Sequence, residues 1–412
     1  MEDQDRDHIS SRSNFSGRSD QELDEMLDEL RAGKIGINQP GQNSSEHDLE
    51  DTPEENNNAS GTGNAAKSKK GKSRKEGFNL KDEVISWIQV LVAAAIIAFC
   101  VNHFIIANSE VPTSSMETTI MAGDRVIGSR LSYKFGDPQR GDIAIFIYPD
   151  DEAKGIKTYY VKRIIGMPGD TIEIRDNQVY IDGVAAKNPE KMQLNYFVET
   201  DGSMLSEEQF RLLDVSKADR VLIDGSYNPQ YMSMLNIQPN ANGQYNPIYH
   251  FPLTQKTLEV AKKLPVVKRV VLEPDPVGTD SYYPVDYQTG WSRDNYGPLW
   301  IPKKGTTIPL TERNIALYKR CIVNYEHNKL EVKDSKVYIN GKPETTYTFK
   351  YDYYWMMGDN RHNSADSRSW GFVPEDHIVG KPIMIWLSLD KDRSLFDGGI
   401  RWNRMFRWVH PD

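Results

Sequence analysis

Apolar and polar positions divide the chain into three regimes. The 23 residues from Val84 to Ile106, VISWIQVLVAAAIIAFCVNHFII, form the one long apolar run. As a helix, such a run reaches across a hydrocarbon core of about 30 Å. Before it, residues 1–77 are dominated by Ser, Asn, Gly, Asp and Glu, with almost no aromatics. Such a composition buries too little apolar surface to offset the entropy of folding, so the segment reads as disordered. One island, SDQELDEMLDELRAG, sets Leu23, Met26, Leu27 and Leu30 on one helical face behind a Ser19/Glu22 capping box, with Gly33 to end the helix. So short a helix is marginal alone, and a transient helix is favoured over a partner-docking one.

Beyond the apolar run the period drops to two. RVIGSRLSY, DIAIFIY, TYYVKRIIG, TIEIRD and QVYIDG are β-rich runs bounded by Gly, Pro and Asp, with no long amphipathic helix between them. The predicted fold is mostly β: one N-terminal transmembrane helix, then an antiparallel β-sheet core. The pattern E-[IV]-[RK]-D-x-x-V-Y-I-[DN]-G begins at Glu173 and again at Glu331, each time closing on a dipeptide suited to a tight hairpin. The stretch between, 186–328, is predicted to be a large inserted lobe. The expected domains are a tail (1–77), an anchor (78–107), a first part of the core (108–185), the lobe (186–328), and a second part with an aromatic C-terminal tail (329–412).

Charge fixes an orientation. The net charge of −9 is concentrated in residues 1–65, where 16 acidic side chains face 5 basic ones. Six Lys and Arg residues then fill 66–75, and none follows the apolar run until Arg125. The positive-inside rule places the N-terminus in the cytoplasm and everything after the run outside the plasma (inner) membrane, on the periplasmic side. No basic face stands out, so no nucleic-acid partner is expected. Cys100 and Cys321 are too far apart in the pattern for a disulfide, and no metal-ligand spacing occurs, so no metal or cofactor is predicted.

Neither G-x-S-x-G nor H-E-x-x-H occurs. A serine with a lysine remains. A lysine acts as a general base only when neutral, which requires burial among apolar neighbours. Lys162 lies between Tyr160-Val161 and Ile164-Ile165. Its neighbour Arg163 must take the opposite strand face, and its charge would further disfavour a second cation.

Four blocks then resemble the type I signal peptidases: VPTSSMETTI, GDRVIGSRLSYKFGDPQRGDIAIF, YYVKRIIGMPGD and MGDNRHNSADSRSWGFVPEDHIVGK, together about a fifth of the chain. The resemblance implies a membrane-bound Ser-Lys serine endopeptidase that removes signal peptides from exported preproteins. It implies Ser115 as nucleophile, Lys162 as general base and Thr113 with the Ser115 N–H as oxyanion donors. Strand alternation would put Thr113 and Ser115 on one face. Ser364 would hydrogen-bond and orient the lysine, and Asp366 would pair with Arg368. The substrate would add as a strand, with small side chains of an Ala-x-Ala motif in pockets near Val111, Pro112, Met116, Tyr160 and Val161. Partners implied are signal peptides, the lipid bilayer and secretion machinery. Thr118 and His362 depart from the family's usual Pro and Asp, and His362 reads as a surface residue. The aromatic tail IRWNRMFRWVHPD either presses on lipid or caps the β-core. Soluble self-cleaving Ser-Lys repressors and a non-catalytic substrate-binding relative are the competing readings; the apolar run argues against the first and the filled polar roles against the second.

Overall fold

The computed structural model describes residues 80–100, 105–149, 151, 155–226, 228–275, 282–390 and 399–410. The acidic tail, its Leu23–Leu30 island and the basic run lie outside the described residues. The chain divides into two units, parted between Ala98 and Phe99. The helix Leu80–Cys100, through Ala98, makes up the described part of the first. Its residues from Glu83 on are all exposed, and it is long and apolar enough to cross a membrane. It stops short of the predicted limit: Ile106 opens a β-strand, Ile106–Glu110, paired to Asp124–Ser129.

The second unit is built on an eight-stranded antiparallel sheet. In spatial order its strands are Ile106–Glu110, Asp124–Ser129, Ile378–Ser388, Ile143–Ile147, Tyr159–Gly166, Tyr353–Met357 and Val373–Pro374, with Arg407–Trp408 added to Ile378–Ser388. β-Branched and aromatic residues fill these strands because their side chains pack well on a pleated face. One face collects Ala107, Val111, Met116, Val126, Ile143 and Val161. Another collects Ala144, Phe146, Ile164, Tyr354, Met356 and Trp370.

The sequence echo forms two like meanders. Thr171–Arg175, Gln178–Ile181 and Val184–Ala185 make one; Leu330–Lys333, Lys336–Ile339 and Lys342–Glu344 make the other. All four turns have two central residues with positive φ: Asp176-Asn177, Asp182-Gly183, Asp334-Ser335 and Asn340-Gly341. That backbone matches the right-handed twist of hairpin strands.

The segment predicted as a lobe splits in two. Gln193–Thr200, Val221–Ile223, Ile248–Thr254 and Val267–Leu272 form their own four-stranded sheet. The later part does not stand apart: Tyr296–Trp300 pairs with Thr171–Arg175, and Tyr296, Leu299, Leu317, Cys321 and Tyr325 bury themselves with Trp355 and Phe372 in the largest core cluster. Apolar residues at 317, 318, 321 and 322 give the Glu312–Arg320 helix and its continuation an inward stripe that only this core can cover.

The C-terminal tail does two things at once. Arg401 and Arg404 are buried and converge on the fully buried Asp124: Arg404 Nη2 donates to Asp124 Oδ2 at 2.7 Å and Arg401 Nη2 to Oδ1 at 3.4 Å. Trp402, Phe406 and Trp408 are left exposed. Asp124→Ala removes the buried carboxylate on which the two buried guanidinium groups converge. It is expected to lower stability by about 3–5 kcal/mol in urea unfolding, with the tail released first.

Candidate active site

Ser115 lies in a turn, and not on a strand as alternation predicts. Residues 113–119 are closed by Glu117 N donating to Ser114 O (3.0 Å), followed by Ile120 N to Met116 O (2.8 Å). Fully buried Met116 and Ile120 pin this turn to the sheet. Thr113 and Ser115 nevertheless meet, with Oγ1 and Oγ 3.3 Å apart.

From the neighbouring strand, Lys162 reaches the same point. It faces Ala144 across the ladder and is 2% exposed. Its Nζ donates to Ser115 Oγ at 2.5 Å and to Val161 O at 3.3 Å, and lies 5.5 Å from the centre of the Tyr160 ring. Burial pushes the amine down to about 8, against Asp366 and Asp359, which favour its charged form. Arg163 is not among the causes, contrary to expectation. Its guanidinium is bound by Asp359 through Nε and Nη2, both at 2.8 Å, so its charge is neutralised locally.

The closing block lies underneath. Asn360 N donates to Ser115 O at 3.0 Å, and Thr119 Oγ1 donates to Asp359 Oδ2 at 2.7 Å. Arg368 grips Asp366 through Nε (2.9 Å) and Nη2 (2.8 Å), and the Asp366 carboxylate also accepts from Gly358 N at 3.2 Å. Ser364 does not bond the lysine: its Oγ donates to the neighbouring Ala365 O at 3.5 Å. A Cβ on Gly358 would stand 2.3 Å from Ser364 Oγ and 2.5 Å from Ser115 O, so only glycine fits between them.

A peptide has a free edge here. Tyr353–Met357 pairs with the lysine strand only as far as Met357↔Arg163, while the opposite partner continues to Ile147↔Tyr159. Tyr159–Lys162 therefore lacks a strand neighbour on one side among the described residues. Pro112 is exposed. Val111 and Val161 are mostly buried. Met116, expected at the substrate, is wholly buried and forms floor instead. Tyr160 shares the face of Lys162 two residues on, and its ring stacks on Tyr148 with centroids 4.8 Å apart.

These residues fall within sequence similarity to known proteins. The family model described as signal peptidase, peptidase S26, matches residues 84–227 and 344–387. Signal peptidase I of Bacillus amyloliquefaciens is 30% identical over 137 residues, 33% of this chain and 70% of the relative. The chain belongs to the signal peptidase family. Signal peptidase I of Buchnera aphidicola subsp. Acyrthosiphon pisum (strain APS) is 26% identical over 351 residues, 81% of this chain and 83% of that one. Signal peptidase IB of Staphylococcus aureus (strain COL) is 28% identical over 151 residues, 36% of this chain and 74% of the relative. The protein is thus a serine peptidase that removes signal peptides, and its family is membrane-associated.

Asp359, Thr119, Arg163 and Gly358 were not singled out as site residues from the sequence. Asp359 and Gly358 stand in the closing block beside those that were, so the signal was present but gave no role. His362 is also misplaced by the surface reading. Its side chain is fully buried, with Nδ1 3.2 Å from Glu273 Oε2 and Nε2 3.3 Å from Asp294 Oδ1. Burial alone would raise the Glu273 carboxyl, but hydrogen bonds with His250 and His362, with the Arg293 charge, hold it well below the usual carboxylate range. A signal peptidase with Gly358→Ala must shift Ser115 or Ser364. Such overpacking is expected to destabilise it by about 1–3 kcal/mol, and signal-peptide cleavage in a time course should fall more than the folded fraction does.

Proposed function

We propose that this signal peptidase cuts by a Ser-Lys dyad. Ser115 Oγ attacks the scissile carbonyl, and neutral Lys162 takes its proton and returns it to the leaving amine. The observation that carries this reading is the 2.5 Å contact between Nζ and Oγ on a lysine stripped of water. The Ser115 N–H and the Thr113 hydroxyl stabilise the oxyanion, where charge develops in the transition state. Asp366 with Arg368, and Asp359 with Arg163, hold the loop and the strand that position these groups.

The substrate adds as a strand to the open edge Tyr159–Lys162, which supplies backbone partners. Val111 and Val161 supply apolar surface for alanine-sized side chains of an Ala-x-Ala pattern. The helix Leu80–Cys100 anchors the enzyme with its N-terminus cytoplasmic and its catalytic body outside the plasma membrane, as the basic residues before it favour. Exposed Trp402, Phe406 and Trp408, interleaved with arginines, suit the interface of the bilayer.

Ser115→Ala and Lys162→Met are each expected to abolish cleavage of an Ala-x-Ala peptide while the chain stays folded. Full activity in either variant excludes the dyad. Thr113→Val removes one oxyanion donor and should lower kcat by on the order of 10²–10³ with KM little changed. The neutral amine is the active form. Rate should therefore rise with pH through an apparent pKa near 8 and fall about tenfold per unit below it. A profile flat from pH 6 to 9 would remove lysine as the base.

A further inference from the structure

A cavity of about 350 Å³ opens between the lysine strand and the Gln178–Ile181 hairpin, away from Ser115. Ile164, Ile165, Val179, Ile181 and Val184 make its apolar wall. Among the described residues no carboxylate lines it, whereas Arg140, Arg163, Lys187 and Arg361 do. Arg140 is paired with Asp170 and Arg163 with Asp359. Arg361 differs. It is 3% exposed, it joins no ion pair among the described residues, and its Nη1 has no hydrogen-bond partner. Its Nε donates to Gly358 O at 3.1 Å.

Around it, three guanidinium groups (Arg163, Arg361, Arg368) share two fully buried carboxylates, Asp359 and Asp366. Both carboxylates are held in bidentate pairs by the other two arginines. Arg361 is the surplus cation. Burial and Arg368 push it down to about 10, with Asp359 and Asp366 opposing, so it remains charged at neutral pH. A buried charge lacking a partner is expensive, and a guanidinium fork matches the oxygens of an oxyanion. Several cations at one cavity favour a phosphoryl group, which offers more than one acceptor. Apolar walls with a few convergent polar groups are what a small-molecule site presents.

We propose that this cavity binds a phosphoryl-bearing amphiphile, its oxyanion on Arg361 and its short apolar body along Val179, Ile181 and Val184. An occupant would brace the closing loop, because Arg361 holds the Gly358 carbonyl and Gly358 packs on Ser115 O. The chemistry is shared by an anionic lipid headgroup and a soluble phosphate ester.

The test uses the full chain in phosphatidylcholine vesicles, titrated calorimetrically with hexyl phosphate and, in parallel, inorganic phosphate. Protein-free vesicles supply the blank. Hexyl phosphate is expected to saturate at one per chain and raise Tm, with inorganic phosphate at least about tenfold weaker. Arg361→Gln should weaken hexyl phosphate by about tenfold or more. Where that variant does not fold, Val184→Glu carries the test. Val184 is 71% exposed at the cavity, so its carboxylate should repel the ligand while basal cleavage stays unchanged. No saturable binding, equal binding of inorganic phosphate, or undiminished affinity in Val184→Glu overturns the proposal. Replacing part of the phosphatidylcholine by phosphatidic acid identifies the source. Competition with hexyl phosphate points to a lipid headgroup and its absence to a soluble ester, and either supports the site.

Discussion

An ammonium on Lys162 has no water to hydrate it, and the architecture around Ser115 follows from that. The folded amine titrates near 8, against an ordinary value of 10.5. Between those values the unfolded chain holds more protons than the folded one. Stability therefore falls as pH is lowered through this window and levels off below about 8, a total on the order of 3 kcal/mol. The nearby carboxylates work against neutrality, since Asp366 and Asp359 both favour the charged amine. Each is occupied by its own arginine. The bidentate pairs Arg163–Asp359 and Arg368–Asp366 tie the lysine strand and the closing loop in place and also keep two buried anions from recharging the lysine.

Much of this was legible in residue order because it depends on local pattern. Alternation in DIAIFIY and TYYVKRIIG marks strands whose two faces are both covered, and the Asp-Gly and Asn-Gly dipeptides mark turns that need positive φ. What was not legible depends on partners far away in the chain. His362 reads as a surface residue until Glu273 and Asp294 fold over it. Arg163 reads as a repelling charge until Asp359 meets it. The Ser115 segment reads as a strand, yet Met116 and Ile120 draw it into a turn by burying themselves, a preference that alternation does not express. Residues 296–325 belong with the core because the first meander needs a fourth strand and Trp355 needs a cover.

The sheet built from Gln193–Thr200 and its neighbours is joined directly to the closing block. Gln193 N donates to Asp359 O at 2.8 Å and Arg361 N to Gln193 O at 3.0 Å. Asn195 and Asn363 exchange side-chain amide hydrogen bonds of 3.1 and 2.9 Å. His362 and Glu273 extend the same seam. The family model leaves residues 228–343 unmatched, so part of the surroundings of this loop is supplied by sequence outside the family's shared pattern.

One feature of this arrangement bears on time as well as space. Asn360 secures the carbonyl of Ser115 across 245 positions of chain, and the strand after it supplies the central partner of Asp124–Ser129. Translation delivers Ser115 and Lys162 early and their clamp late. A nascent chain that already carries Ser115 and Lys162 still lacks the residue that holds the Ser115 carbonyl. Until residues 360–388 have been made, neither that hydrogen bond nor the partner strand of Asp124–Ser129 can form.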